Sequence, residues 1–211
     1  MITKKDIVEE IRQELSDSKS LDEILKDLEY EVNLSKWAYR FSTQEFEKKQ
    51  NLSRKLFHYV LSNAQDYRDY VDFAYYISKK DGLADDDLSK EAYKLAISKI
   101  TLFRDLRSIA DILAKPKDSF YDENMAKSVY KEAIEKASSA YEYLTLAESL
   151  CDKSLLNDKQ WAKEVYKLAL KIASTSDEYE AIAESILNED NLDDEKWANE
   201  VFSISSKLED N

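Results

Sequence analysis

The apolar positions of this chain recur with a helical beat, and the beat itself repeats. Between 161 and 173, Trp161, Ala162, Val165, Tyr166, Ala169, Ile172 and Ala173 form one wide face, and Lys163, Glu164, Lys167 and Lys171 fall outside it. That spacing belongs to an amphipathic helix, here helix A. The stretch Asp158 to Ala169 is written again 36 residues on, from Asp194 to Phe202, and upstream from Asp122 to Ala133. It appears more faintly at Leu88–Ala96 and at Leu52–Phe57. One aromatic register, Phe57, Tyr93, Tyr130, Tyr166 and Phe202, runs through all five copies in steps of 36 or 37. A second helix, B, carries its own register of Ala74, Ala110, Ala147 and Ala183. Tyr70, Leu106, Tyr143 or Tyr179 precedes each alanine by four residues, and Ile77, Leu113, Leu150 or Ile186 follows by three, which is again one helical face. A period of this size predicts an all-α fold, an α-solenoid of stacked antiparallel helix pairs.

The boundaries of these helices are also written in the sequence. Asp85, Asp122, Asp158 and Asp194 each stand three residues before the first apolar position of a helix A. A carboxylate there can accept from the free amides of the first turn, a cap worth roughly 0.5–2 kcal/mol. Residues 1–50 follow the same chemistry less regularly. Thr3 can cap a helix over 3–15 with Ile7, Val8, Ile11 and Leu15 on one stripe. A polar break at 16–20 precedes a second helix bearing Leu21, Ile24, Leu25, Leu28 and Val32, and a third carries Trp37, Ala38, Phe41 and Phe46. The chain therefore divides into a divergent helical cap, 1–50, and repeats over 51–211, about ten or eleven helices in all. Atypical end units are expected in a stack, because one side of each has no neighbour.

The run Asp-x-x-Trp-Ala-x-x-x-Tyr-x-x-Ala, followed by an alanine-centred second helix and then Leu192 and Asp194, resembles the Sel1-like repeat, a relative of the tetratricopeptide repeat. Ala162, Tyr166 and Ala169 match its first helix, and the resemblance covers about 52–202. Ala173 stands at that family's turn glycine, and Gly82-Leu83 alone keeps a loop glycine. The resemblance implies a right-handed solenoid acting as a protein-binding scaffold, with no catalytic residues.

Composition narrows the chemistry. One glycine and one proline in 211 residues are far below the usual ~7% and ~5%, which argues for helices joined by short polar loops and against phosphate-cradling loops. No run approaches the length of a membrane span and the opening residues carry no apolar segment, so neither a span nor a signal peptide is expected, and the location expected is cytoplasmic. The net charge of −13 is unevenly placed, with −3 over 1–51, −1 over 52–124 and −9 over 125–211. Such acidity repels nucleic acid and anionic membrane and attracts basic proteins.

Candidate catalytic groups are few. His58, the single histidine, occupies the position that Lys94, Lys131 and Lys167 hold in later copies and reads as a solvated helix-face residue. Cys151, the single cysteine, reads as a buried inert thiol. Zinc and nucleophilic-triad sites therefore lack ligands. Asp85-Asp86-Asp87 and the acidic run 189–195 lack the glycine and alternating ligands of an EF-hand and read as capping, solvating loops. No catalytic, cofactor-binding or metal-binding residue is assigned, and the chain reads as non-enzymatic.

Two charge ladders remain: Lys94, Lys131 and Lys167 on helix A, and Asp111, Glu148 and Glu184 on helix B. They are either ordinary solvated faces or two faces of opposite sign, one of which reads a partner. Tyr59, Tyr67, Tyr75, Tyr76, Tyr121, Tyr141, Phe73, Phe103 and Phe120 exceed what the registers need and serve as packing or as interface anchors. The expected function is a scaffold or adaptor that binds another protein, a basic one, with Glu148, Glu184, Asp190, Asp193 and Glu195 as contact carboxylates and Tyr141 as an aromatic anchor. An immunity-type inhibitor of a basic toxin or nuclease, or an acidic mimic of nucleic acid, is the alternative. Neither nucleic acid nor membrane is an expected partner. Nothing in the sequence speaks to oligomeric state.

Overall fold

The computed structural model describes residues 3–116 and 120–209. Among these are twelve α-helices, a short 3-10 helix at Gln44–Phe46, and no strand. The helices are α1 (Lys4–Glu14), α2 (Leu21–Tyr30), α3 (Leu34–Ser42), α4 (Gln50–Asn63), α5 (Tyr67–Ile77), α6 (Asp86–Lys99), α7 (Phe103–Ala114), α8 (Glu123–Lys136), α9 (Ala140–Cys151), α10 (Lys159–Ile172), α11 (Ser176–Leu187) and α12 (Glu195–Glu209). They form two compact units, one holding α1–α6 with Phe120 and the other α7–α12.

Both kinds of helix start where the sequence places their caps. Asp85, Asp122 and Asp158 accept from the amides of Leu88, Met125 and Trp161 at 3.1, 2.9 and 3.0 Å, and Asp194 accepts from Trp197 at 3.2 Å. The B helices α5, α9 and α11 start in reciprocal capping boxes, Asp66 with Asp69, Ser139 with Glu142, and Thr175 with Glu178. Thr3 and Asp6 do the same for α1.

Each B helix packs most closely against the A helix that follows it, as α5–α6, α7–α8, α9–α10 and α11–α12, and α3 pairs with α4 in the same way. The tight hairpin therefore runs B to A across the aspartate loop, whereas A and B within one sequence repeat touch less. The cause is at the seam. The α7–α8 pair buries Ala110, Ala126 and Ala133, and the α9–α10 pair buries Ala147, Ala162 and Ala169. All six alanines are fully buried and let the backbones approach. The loop is closed the same way four times: the amides of Asp85, Asp122, Asp158 and Asp194 donate to the carbonyls of Ile77, Leu113, Leu150 and Ile186. The cap boundary expected at 50/51 lies at the first turn of α4, and α3 pairs with α4 across it.

The aromatic register is the core. Tyr93, Tyr130 and Tyr166 have no exposed surface and Phe57 has 2%. Phe202 is half-buried, because no further described helix covers α12. Truncating one of the buried rings to alanine costs roughly 3–5 kcal/mol. Tryptophans seal the second unit, with Trp161 edge-on to Tyr130 at 6.1 Å and Trp197 edge-on to Tyr166 at 6.2 Å.

Two apolar assignments fail. Val32 lies beyond α2 and is exposed, since Glu31 takes a left-handed conformation and ends the helix. Ile172 sits in the last turn of α10, rotated off the buried face, and is 40% exposed. Phe46 is outside α3, yet packs edge-on against Trp37 and Phe41.

Candidate functional site

Within the second unit, the B helices α7, α9 and α11 stack on one another and the A helices α8, α10 and α12 cover their other side. A cleft of about 510 Å³ opens along the B layer. Its wall is Arg107 and Asp111 on α7, Thr145, Glu148, Ser149 and Asp152 on α9, Lys153 and Leu155 just beyond α9, and Asp190 and Asn191 just beyond α11.

The floor of this cleft is built twice from the same parts. The buried Tyr130 hydroxyl donates to Asp111 Oδ1 at 2.6 Å. One repeat on, the Tyr166 hydroxyl lies 2.7 Å from Ser185 Oγ, and Ser185 Oγ donates to Glu148 Oε1 at 2.8 Å. A serine hydroxyl has one proton, so Tyr166 donates to Ser185 and Ser185 passes its own proton to the carboxylate. Asn191 Nδ2 donates to Ser185 Oγ at 3.0 Å and to the Ser185 carbonyl at 3.1 Å. Asp111 and Glu148 are equivalent positions, and Ser149, which bonds Asp111, is equivalent to Ser185. A carboxylate from one B helix, a serine from the next and a tyrosine from the A helix between them thus form one recurring triad.

The electrostatics follow from this packing. Burial pushes the Asp111 carboxyl upward, while hydrogen bonds from Tyr130 and Ser149 and the charge of Arg107 pull it back. Burial, then the Asp111 charge, pushes the Tyr130 hydroxyl upward, and burial does the same for Tyr166. At the mouth, Lys153 meets Asp190 at 3.0 Å with both side chains largely in solvent. Arg107 Nε is buried without an acceptor among the described residues. Cys151 is fully buried, and burial raises its thiol to about 11, so at neutral pH it carries no thiolate. His58 is exposed on α4. Among the described residues, no group of three or more His, Cys, Asp or Glu side chains converges as a metal cage.

Of the sequence candidates, Glu148 and Asp190 line the cleft. Glu184 is exposed on α11, Asp193 is exposed in the loop before α12 with a left-handed backbone, Glu195 is exposed in the first turn of α12, and Tyr141 is 49% exposed in the first turn of α9. None of these four belongs to the cleft wall. The ladder Asp111, Glu148, Glu184 is not one uniform solvated face: its first two members are half-buried and bonded, and only Glu184 stands free in solvent. Most surplus aromatics are packed. Phe73, Phe120 and Tyr59 are buried, and Tyr121 and Tyr141 are the members exposed by more than a third. Arg107, Ser149, Asp152, Lys153, Ser185 and Asn191 escaped the sequence reading. A signal for the serines exists, because Ser149 and Ser185 each follow the register alanine by two and the register tyrosine by nineteen.

These features define an all-α protein of repeated helix hairpins with an acid-rich cleft on its B layer. No protein-family model, curated protein or solved structure matches the chain. No described helix is long and apolar enough to cross a membrane.

Proposed function

We propose that this chain is a non-enzymatic, cytoplasmic protein-binding module that receives a basic protein on the B layer of its second unit. The observation that carries the reading is the cleft wall, where four carboxylates, Asp111, Glu148, Asp152 and Asp190, face two cations, Arg107 and Lys153. Two of the four are held by hydrogen bonds from the buried tyrosine and serine hydroxyls, so they meet a partner in fixed positions and lose little side-chain entropy on binding. Helices α9 and α11 bear six acidic residues and no basic one, which extends the same field along the layer. The repeat is read as a divergent Sel1-like or tetratricopeptide-like one, supported by the complete burial of Ala162, Tyr166 and Ala169. A toxin or nuclease as partner would make the module an immunity-type inhibitor.

The test is association kinetics of Glu148→Lys/Asp190→Lys against a partner captured from the source cell. Charge reversal should lower the association rate and flatten its salt dependence, with a smaller change in dissociation. An unchanged rate and salt slope would move the binding surface off this cleft.

A further inference from the structure

In the first unit, α3, α4 and α5 pack on one another and border a cavity of about 200 Å³. That is smaller than the roughly 300–1,000 Å³ of drug-sized sites, so its occupant is a small molecule. The N-terminus of α3 forms one part of the wall, through Asn33, Ser35 and Lys36, and α5 forms another, through Asp69, Asp72 and Tyr76. Helix α3 starts without a side-chain cap. Asn33, in a left-handed conformation, donates its side-chain amide to Asp27 at 3.3 Å, and no described side chain accepts from the first-turn amides of Leu34, Ser35 and Lys36. Ser35 is only 5% exposed, and its hydroxyl has no hydrogen-bond partner among the described residues. Unlike the hydroxyl of Ser53, which is sealed in the core, it keeps surface with which to meet a ligand. A hydroxyl in such a place costs free energy until something bonds it.

The charged groups of this wall divide into engaged and free. Glu31 accepts from the Tyr59 hydroxyl at 2.8 Å and meets Lys4 at 3.3 Å. Asp69 accepts from the amides of Gln65 and Asp66 at 3.0 and 3.1 Å, in the capping box of α5. Lys36 and Asp72 are exposed and have neither an ion pair nor a hydrogen bond among the described residues. The cavity thus offers one free cation beside an uncapped helix start and one free carboxylate on the helix packed against it. A simple anion would meet the carboxylates of Glu31, Asp69 and Asp72. A simple cation would meet Lys36 and the positive end of α3. We infer that the cavity binds a small zwitterion of the α-amino acid class. The ligand carboxylate accepts from the free amides of α3 and from the Ser35 hydroxyl, the bonds that a helix start offers an anion. Its ammonium donates to Asp72. Leu34, Val60 and the Tyr76 ring give its side chain an apolar wall.

The experiment titrates the full chain with each of the standard L-amino acids by calorimetry. At least one should bind with a Kd of about 1 mM or below. The best of them is then compared with its analogue lacking the α-ammonium and its analogue lacking the α-carboxylate, and each should bind about tenfold more weakly, a loss of ~1.4 kcal/mol. Ser35→Ala removes an unbonded hydroxyl from the free chain, so it should leave the melting temperature unchanged or raise it, yet weaken the amino acid about tenfold. Asp72→Asn, at an exposed position of α5, should weaken the amino acid by a similar factor and leave the analogue without the ammonium unaffected. It carries the test if the serine variant fails to fold, and circular dichroism verifies both. Glu148→Lys/Asp190→Lys should leave the affinity unchanged, which separates this cavity from the acidic cleft. The inference falls if no amino acid binds up to about 1 mM, or if folded Ser35→Ala and Asp72→Asn bind as the wild type does. It falls equally if the analogue without the ammonium binds as well as its parent, which would mark an anion site, or if the analogue without the carboxylate does, which would mark a cation site.

Discussion

Removing one hydroxyl from each of three equivalent tyrosines should change stability in opposite directions. Tyr93, Tyr130 and Tyr166 occupy one register and are equally buried, so Tyr→Phe removes the same atom from the same kind of place. The partners differ. Tyr130 donates to a carboxylate at 2.6 Å, Tyr166 donates to a neutral serine at 2.7 Å, and the Tyr93 hydroxyl is buried with no partner among the described residues. A hydrogen bond to a charged group contributes roughly 1.5–3 kcal/mol and a neutral one roughly 0.5–1.5, while a buried unpaired group costs roughly 1–3. Tyr130→Phe should therefore destabilise most and Tyr166→Phe less, because Ser185 keeps its bonds to Glu148 and Asn191. Tyr93→Phe should stabilise by about 1 kcal/mol, since it removes a desolvated hydroxyl and keeps the ring. At this chain length that amounts to a melting temperature raised by about 2–4 °C. Urea and thermal unfolding by circular dichroism measure the sign. Trp161 and Trp197, edge-on to Tyr130 and Tyr166, report the second unit by fluorescence. A Tyr93→Phe variant destabilised as much as Tyr130→Phe would refute this account of the register.

Two further outcomes follow from local geometry. Gly82→Ala should cost about 1–3 kcal/mol by overpacking, because a Cβ there would stand 2.7 Å from Ser42 Oγ and 2.9 Å from the Tyr39 ring; Tyr39→Leu in the same chain should recover part of the loss in a melting experiment. Asp111→Asn should keep the bond from Tyr130 and be neutral to stabilising at pH 7. The folded pKa of Asp111 is raised above its ordinary 3.8, so the wild type gains stability as pH falls through that folded pKa toward 3.8. Asparagine has no such gain, and its advantage should shrink on acidification; an advantage that grows instead would show that the charge at Asp111 stabilises the fold.

The repeat, its caps and its buried register were legible because each is a local pattern multiplied four or five times. Asp158 caps α10 and Ala147 sits at a helix seam for reasons contained within a dozen residues. The near-absence of glycine was legible as a fact but not as a cause. The A-to-B turn passes through extended residues, Ala137 at ψ 137° and Ala173 at ψ 136°, where glycine has no advantage. Three of the B-to-A loops place a left-handed residue just before the capping aspartate, and Ala84, Asn157 and Asp193 fill it at φ 54°, 50° and 56°. The cleft was only half legible. Glu148 and Asp190 could be named from charge, but Arg107, Ser149 and Ser185 enter through contacts between successive B helices, which one helix's periodicity does not encode. Asp111 looked solvated because it follows a buried alanine by one position, at the edge of the apolar stripe. There the stacking of the next B helix decides between water and burial.

Net charge alone does not explain how that charge is arranged. Colloidal solubility depends on the total, and any distribution of the −9 over residues 125–211 would supply it. Instead nine of the ten lysines in that segment stand on α8, α10 and α12, and the tenth, Lys153, is paired at the cleft mouth. The B helices α9 and α11 bear acids alone. Both layers obey the same hydrophobic period and bury the same kinds of residue, so the fold does not require the sorting. The proposed function accounts for the sorting: α9 and α11 offer acids alone to a basic partner, whereas α8, α10 and α12 mix their nine lysines with seven glutamates.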